Sequence, residues 1–269
     1  MNNKQKELAE ELKQIASRLG HSPNRREIPD LARKCYKLFG SFNKAKLSAD
    51  LKTKYTRKNK FPKNAFKKDK DLAAIVSYLT FDGHLYKDLK GFMYSSKNVV
   101  DLDNFNEIIK RKFDLPPRYH LFSSGAGETK THKIYFFNKK VCNELLKVGV
   151  PKGAKVIQHF DIPRWIVNSK EFSCEYLKIA FFCEGYFKEE KGRTPRITFT
   201  TSKWEDIINS GLLFTNQLKL MLKKFDIETK ESYITGMRVR KDKKITRDIR
   251  FRIATEDNNK FIREIGWVK

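Results

Sequence analysis

Ile75-Val-Ser-Tyr-Leu-Thr-Phe-Asp82-Gly83 and Leu177-Lys-Ile-Ala-Phe-Phe-Cys-Glu184-Gly185 are two apolar runs, each closed by an acid and a glycine. An apolar run that stops at glycine reads as a buried helix ending there, so each acid is expected at a helix C-terminus. The sequence downstream of each run is similar too. Two short strands, a helix, a longer hairpin and a closing helix are expected near 84–96, 101–112, 118–136 and 138–148. Their counterparts fall near 186–201, 209–225, 231–254 and 257–264. An α-β-β-α-β-β-α unit used twice predicts an α+β fold: two four-stranded antiparallel sheets side by side under helices. Between the halves, 149–170 holds Pro151, Gly153 and Pro163 and reads as a loop.

Outward from this core, residues 1–51 read as a small all-α module. Leu8, Leu12, Ile15, Ala16 and Leu19 recur at helical spacing up to Gly20. A second helix is expected over 30–39, ended by Gly40, and Ser41 is placed to cap a third. Residues 52–70 carry nine Lys/Arg against one Asp, with Pro62 among them, and read as a basic linker or arm. The expected organisation is therefore a helical module (1–51), a linker (52–70), a first half (71–150), and a connector with the second half (151–269).

The chain's 57 Lys and Arg against 32 Asp and Glu give a formal charge of +25. Such an excess adds nothing to a fold and costs stability by self-repulsion; a polyanionic partner accounts for it, nucleic acid first. No run of 18 apolar residues exists, so no membrane span is expected, and the polar N-terminus cannot serve as a secretory signal. Cys35, Cys142, Cys174 and Cys183 form no CxxC pair, and the five histidines have no metal-ligand spacing. A reducing cytoplasm (or organellar matrix) without a zinc site is expected.

The paired motifs resemble those of the two-motif, monomeric LAGLIDADG homing endonucleases. The first matches loosely apart from its Asp82-Gly83, and the resemblance is reinforced by Val150-Pro151-Lys152-Gly153-Ala154-Lys155 and Ile162-Pro163-Arg164-Trp165-Ile166 between the motifs. The N-terminal zone, through Leu19-Gly20, Ser22-Pro23 and Phe39-Gly40-Ser41-Phe42-Asn43-Lys44-Ala45, resembles a homing-endonuclease-associated repeat; a purely structural helical cap is the alternative. The resemblance implies two pseudo-symmetric halves forming a saddle on double-stranded DNA, a monomer, and divalent-metal-dependent phosphodiester hydrolysis. Asp82 and Glu184 would then be the metal-binding, catalytic pair. Carboxylates at helix C-termini are unfavourable in themselves, and two brought together repel; a divalent cation relieves both costs, and oxygen donors favour Mg²⁺.

Further candidates come from the strands. Lys97 and Lys203, after Tyr94-Ser95-Ser96 and Thr200-Thr201-Ser202, are placed at corresponding strand ends to orient water or neutralise phosphate. Aligned strictly, the basic or amide residue that the family resemblance implies falls on a Ser or Thr. The family's small seam residues are here Ser77 and Phe81 in one helix, Ile179 and Cys183 in the other, which leaves open a wider helix pair. Period-two alternation over 236–253 sets Arg238, Arg240, Arg250 and Arg252 on a basic face, with Met237, Val239, Phe251 and Ile253 beneath. Lys87, Arg118, Lys133, Lys188 and Arg196 add basic groups on the other hairpins. Antiparallel ribbons of this kind fit the major groove. Three readings are open: a site-specific DNA endonuclease, a non-cleaving DNA-binding regulator or decayed nuclease on the same fold, and a maturase acting on intron RNA.

Overall fold

The computed structural model describes residues 1–25, 27–53, 61–123, 130–188 and 196–266. It divides into two units, Met1–Lys60 and Phe61–Lys269.

The first unit holds three helices, α1 (Asn3–Leu19), α2 (Pro29–Phe39) and α3 (Phe42–Ser48). Their boundaries follow from the punctuation read in the sequence. Asn2 and Gln5 form a capping box at the start of α1, and Gly20 and Gly40 take left-handed conformations after α1 and α2. Ser41 accepts from the Lys44 amide at 3.1 Å to start α3. Leu8, Leu12, Leu31, Cys35, Phe42 and Ala45 close a small core of their own.

The second unit repeats one motif. Its first half is α4 (Lys70–Thr80), β1 (Gly83–Leu85), β2 (Phe92–Ser96), α5 (Val99–Phe113), β3 (Arg118–Ser123), β4 (Lys130–Phe136) and α6 (Lys139–Lys147). After the connector, which contains the short α7 (Arg164–Val167), come α8 (Lys170–Glu184), β5 (Gly185–Lys188) and β6 (Arg196–Trp204). The half ends with α9 (Ile208–Lys223), β7 (Tyr233–Val239), β8 (Ile245–Arg252) and α10 (Asn258–Glu264). Two four-stranded antiparallel sheets result, ordered β1-β2-β4-β3 and β5-β6-β8-β7. One face of each is buried: Leu85, Phe92, Tyr94, Ile134 and Phe136 in the first sheet, Ile197, Phe199, Ile249 and Phe251 in the second. The alternate residues of the same strands form an open face.

Two expectations need correction. Residues 61–70 of the basic segment 52–70 are packed and not a free linker or arm. Phe61 and Phe66 pack against the large core, Ala65 is 1% exposed, and the buried Lys112 ammonium holds this stretch through the carbonyls of Asn64 (3.0 Å) and Lys67 (2.8 Å) and the Asp69 carboxylate. These few apolar side chains outweigh the charge count around them, because exposed lysines keep their ammoniums in water while burying stems. Residues 54–60 of that segment lie outside the described residues. The hydrophobic underside of the second hairpin is also incomplete: Phe251 and Ile253 are buried as expected, but Met237 and Val239 are 60% and 69% exposed.

Candidate functional site

Helices α4 and α8 pack against each other along the seam that carries both acids. Ser77, fully buried, donates its hydroxyl hydrogen to the Tyr176 carbonyl of α8 at 2.8 Å. A short side chain reaching the facing backbone means a close approach there, so the wider seam is not found at this point. Phe81 does not wedge between the helices; its ring lies edge-on against Tyr176 and Phe199.

The glycines after the acids are explained by this packing. Each strand leaves its helix with the glycine against the helix's own last turn. A Cβ at Gly185 would stand 2.2 Å from the Phe181 carbonyl oxygen, and one at Gly83 would stand 2.9 Å from the Tyr78 carbonyl oxygen. Tight reversal, and not a left-handed φ, requires glycine at both places.

Asp82 lies two residues beyond the end of α4 and is exposed. Glu184 is the last residue of α8 and half-buried. Asp82 opens onto a groove of ≈ 780 Å³ shared with Ser95, Lys97, Asn98, Asp101 and Cys183. Glu184 lines a smaller pocket of ≈ 250 Å³ with Thr80, Lys155, Thr200, Ser202, Arg238 and Asp248. Burial pushes the Glu184 carboxyl up to about 7; the charges of Asp82 and Asp248 push in the same direction, and that of Lys155 opposes them. Next to it, the Cys183 thiol is raised well above its ordinary range by burial, with Asp82 adjoining.

Lys155, a connector residue, stands between the two acids electrostatically. Its ammonium donates to the carbonyls of Leu79 (3.2 Å), Phe81 and Gly83 (2.7 Å), occupying the negative end of α4. Burial lowers its pKa to about 8, against the pull of Asp82 and Glu184. The connector is held in place for this by the Gly153 amide on the Leu85 carbonyl (2.8 Å) and the Trp165 indole on the Val148 carbonyl (2.9 Å).

The two strand-end lysines are not equivalent. Gly83 pairs with Tyr94 and Gly185 with Phe199, so Lys97 corresponds to Ser202, and Lys203 to Asn98. A one-residue offset on a strand reverses the face. Lys97 is exposed on the groove with Asp82. Lys203 is 2% exposed and turns to the core side, donating to the carbonyls of Lys155 (2.8 Å) and Gln158 (2.9 Å) under the Phe160 ring.

Lys188, Arg196, Arg250 and Arg252 come together on the open face of the second sheet, in a groove of ≈ 460 Å³ with Thr198, Thr200, Tyr186 and Tyr233. Lys188 and Arg196 are directly opposite cross-strand neighbours, which concentrates positive charge at this end of the sheet. Arg238 lines the Glu184 pocket instead, and Arg240 pairs with Asp242 (3.2 Å) near the hairpin end. The first sheet is less basic. Lys133 lies in register between Ser95 and His120, Arg118 covers the Phe137 ring, and the Lys87 stem crosses Gly153.

Sequence reasoning gave no role to Lys155 or Asp248. Lys155 sits in the connector, but nothing in its spacing points to helix ends more than 70 positions upstream. Asp248 was legible: it alternates with Arg250 and Arg252, which puts a carboxylate on the same strand face.

The class follows from this geometry: an α+β protein whose duplicated unit brings one acid per half to the ends of a central helix pair. Residues 171–266 match the LAGLIDADG-like domain family, and residues 4–52 match the homing endonuclease associated repeat. The chain carries a LAGLIDADG-like domain with an N-terminal homing endonuclease associated repeat. Among curated proteins, the tRNA-splicing ligase RtcB of Methanocaldococcus jannaschii is 36% identical over 126 residues, 46% of this chain but only 13% of that protein. Solved structures with a similar course include the homing endonuclease I-WcaI bound to its DNA recognition sequence (TM-score 0.48, 11% identity, 74% of this chain and 83% of that one). Full-length DUF199/WhiA from Thermatoga maritima is another (TM-score 0.46, 11% identity, 77% of this chain and 60% of that one). Among the described residues no helix is long and apolar enough to cross a membrane.

Proposed function

We propose that this protein is a site-specific double-stranded-DNA endonuclease of the homing type, with Asp82 and Glu184 as its divalent-metal ligands. The observation that carries the reading is that the two acids, one from each half, act on one another electrostatically, the Asp82 charge adding to the rise in Glu184. Glu184 keeps a raised pKa although Lys155 is already present: burial is the largest cause, and the charges of Asp82 and Asp248 add to it, so a cation at this carboxylate would relieve both. The two carboxylates are oxygen donors of the kind a hard cation takes; among the described residues no group of three or more His, Cys, Asp or Glu side chains stands together to hold a metal by protein ligands alone. Asp82 and Glu184 would hold a hard divalent ion together with water and phosphate oxygens, and when bound it would supply Lewis-acid activation of water and charge stabilisation for phosphodiester hydrolysis. The chain's own part is to orient. Ser77 fixes the helix pair, Lys155 fixes the end of α4, and Lys97 puts a cation on the Asp82 groove within reach of a phosphate. Lys188, Arg196, Arg250 and Arg252 offer the positive face that holds the duplex in a salt-dependent manner.

The test is selection of bound duplex DNA followed by cleavage of the winner with Mg²⁺. Asp82→Asn and Glu184→Gln should each abolish cleavage with binding intact; full cleavage by the double variant refutes the reading. One observation favours a second reading, a DNA-binding protein that no longer cuts. Lys203 is committed to backbone carbonyls and Ser202 takes the strand-end place, so the Glu184 side has no counterpart of Lys97. Specific binding without cleavage under Mg²⁺ or Mn²⁺ selects it.

A further inference from the structure

Asp248 is a carboxylate 4% exposed on a sheet face that is otherwise basic. It accepts from the Ser202 hydroxyl at 2.6 Å, from an Arg238 amino group at 3.0 Å and from an Arg250 amino group at 3.4 Å. The chain reaches this arrangement by breaking its own ladder. Thr235 pairs with Asp248, so a regular continuation would put Arg238 opposite Ile245 and turn its side chain toward the covered face. The register instead shifts between Thr235 and Arg238, and Arg238 pairs with Thr246 on the open side. Gly236 makes the shift with φ +63, and a Cβ there would stand 3.1 Å from the Asp248 carboxylate. Glycine, bulge and acid thus act together to bring a second arginine onto one carboxylate.

We propose that Asp248 is a positioning residue for base reading: it holds Arg238 and Arg250 upright on the sheet so that each presents its guanidinium edge to a guanine of the second half-site. The inference rests on the DNA-binding reading above. Two guanidiniums side by side repel and swing freely; a shared buried carboxylate removes both the repulsion and much of the rotational freedom lost on docking. Each guanidinium gives one amino group to the carboxylate, and guanine O6 and N7 in the major groove are the pair of acceptors that a guanidinium fork matches. A phosphate contact needs no such scaffold, since any exposed lysine supplies it.

The test takes the full chain and the DNA it selects, and measures affinity for all four base pairs at each second-half position. Arg238→Ala and Arg250→Ala should each lose roughly tenfold of preference at one guanine, the scale of a bidentate contact. Asp248→Asn, which keeps both arginines, should lose the preference at both of those positions. If Asp248→Asn does not fold, Ser202→Ala should weaken the same two positions by a smaller factor. Unchanged preference in Asp248→Asn, or an affinity change uniform over all sequences, overturns the proposal and assigns the arginines to phosphate. Failure of the wild type to bind any duplex overturns the DNA-binding reading itself, a result separable from the first because it needs no variant.

Discussion

Glu184→Gln should stabilise this protein at the same pH at which, on the proposed endonuclease reading, it abolishes cleavage. Glu184 has an ordinary pKa of 4.5 and is held at about 7 in the folded chain. Below pH 4.5 the carboxyl is neutral in both states and the two proteins match. Between 4.5 and 7 the unfolded chain ionises while the folded one cannot, so wild-type stability falls as pH rises through this window. Above 7 the difference is constant. At 1.36 kcal/mol per unit, it amounts to about 3 kcal/mol. For a unit of this size that is about 6–12 °C in melting temperature. The chain's three tryptophans all lie in the second unit's sequence, so their fluorescence in urea or heat reports that unit. Wild type and Glu184→Gln should coincide near pH 4.5 and separate by about 3 kcal/mol at pH 8. Mg²⁺ at pH 8 should recover about 2.7 kcal/mol of wild-type stability at a hundred times its Kd, and nothing in the variant. Superimposable transitions from pH 4.5 to 8, or a less stable variant at pH 8, refute the reasoning.

The same geometry makes two further demands. Lys155→Met removes the cation that opposes the rise in Glu184 and uncaps α4; the acidic limb of the cleavage pH profile should move to higher pH, and urea unfolding should show a loss of about 2 kcal/mol. Gly185→Ala places a Cβ against the Phe181 carbonyl oxygen and should lower stability by about 3 kcal/mol, measured by urea titration, whereas Ala at Gly266, where nothing adjoins, meets only the strain of its positive φ.

Periodicity was enough to place nearly every element of the second unit, because apolar residues recur at helical spacing in 70–80 and 170–184 and alternate in 196–204. Caps and glycines set the helix ends in the first unit in the same way. What alternation could not supply was a break in itself. The bulge at 235–238 reverses which residues face outward, and the ribbon end there has no layer beneath it, so Met237 and Val239 stand in solvent. The strand-end lysines failed for a related reason: counting along the sequence paired Lys97 with Lys203, while pairing across the sheets shifts them by one place. Contacts made by the connector were beyond any local pattern, since Lys155 reaches α4 across a whole sheet of intervening sequence.

Asp248, buried, and Glu184, half-buried, differ in how their charge is compensated. Asp248 and Glu184 line one pocket in a strongly basic protein. Asp248 receives a hydroxyl and two guanidiniums, as a buried charge needs if it is to be held without loss. Among the described residues no hydrogen bond reaches the Glu184 carboxylate; Lys155, the nearest compensating cation, spends its donors on carbonyls. An amide at 184 would remove that cost. It would also help any protein whose task was only to hold DNA, because a carboxylate facing a bound phosphate repels it. An acid kept where both folding and binding disfavour it calls for a cation brought in with the substrate. The cleaving reading supplies that cation; the purely binding one leaves Glu184 without a physical reason to be acidic.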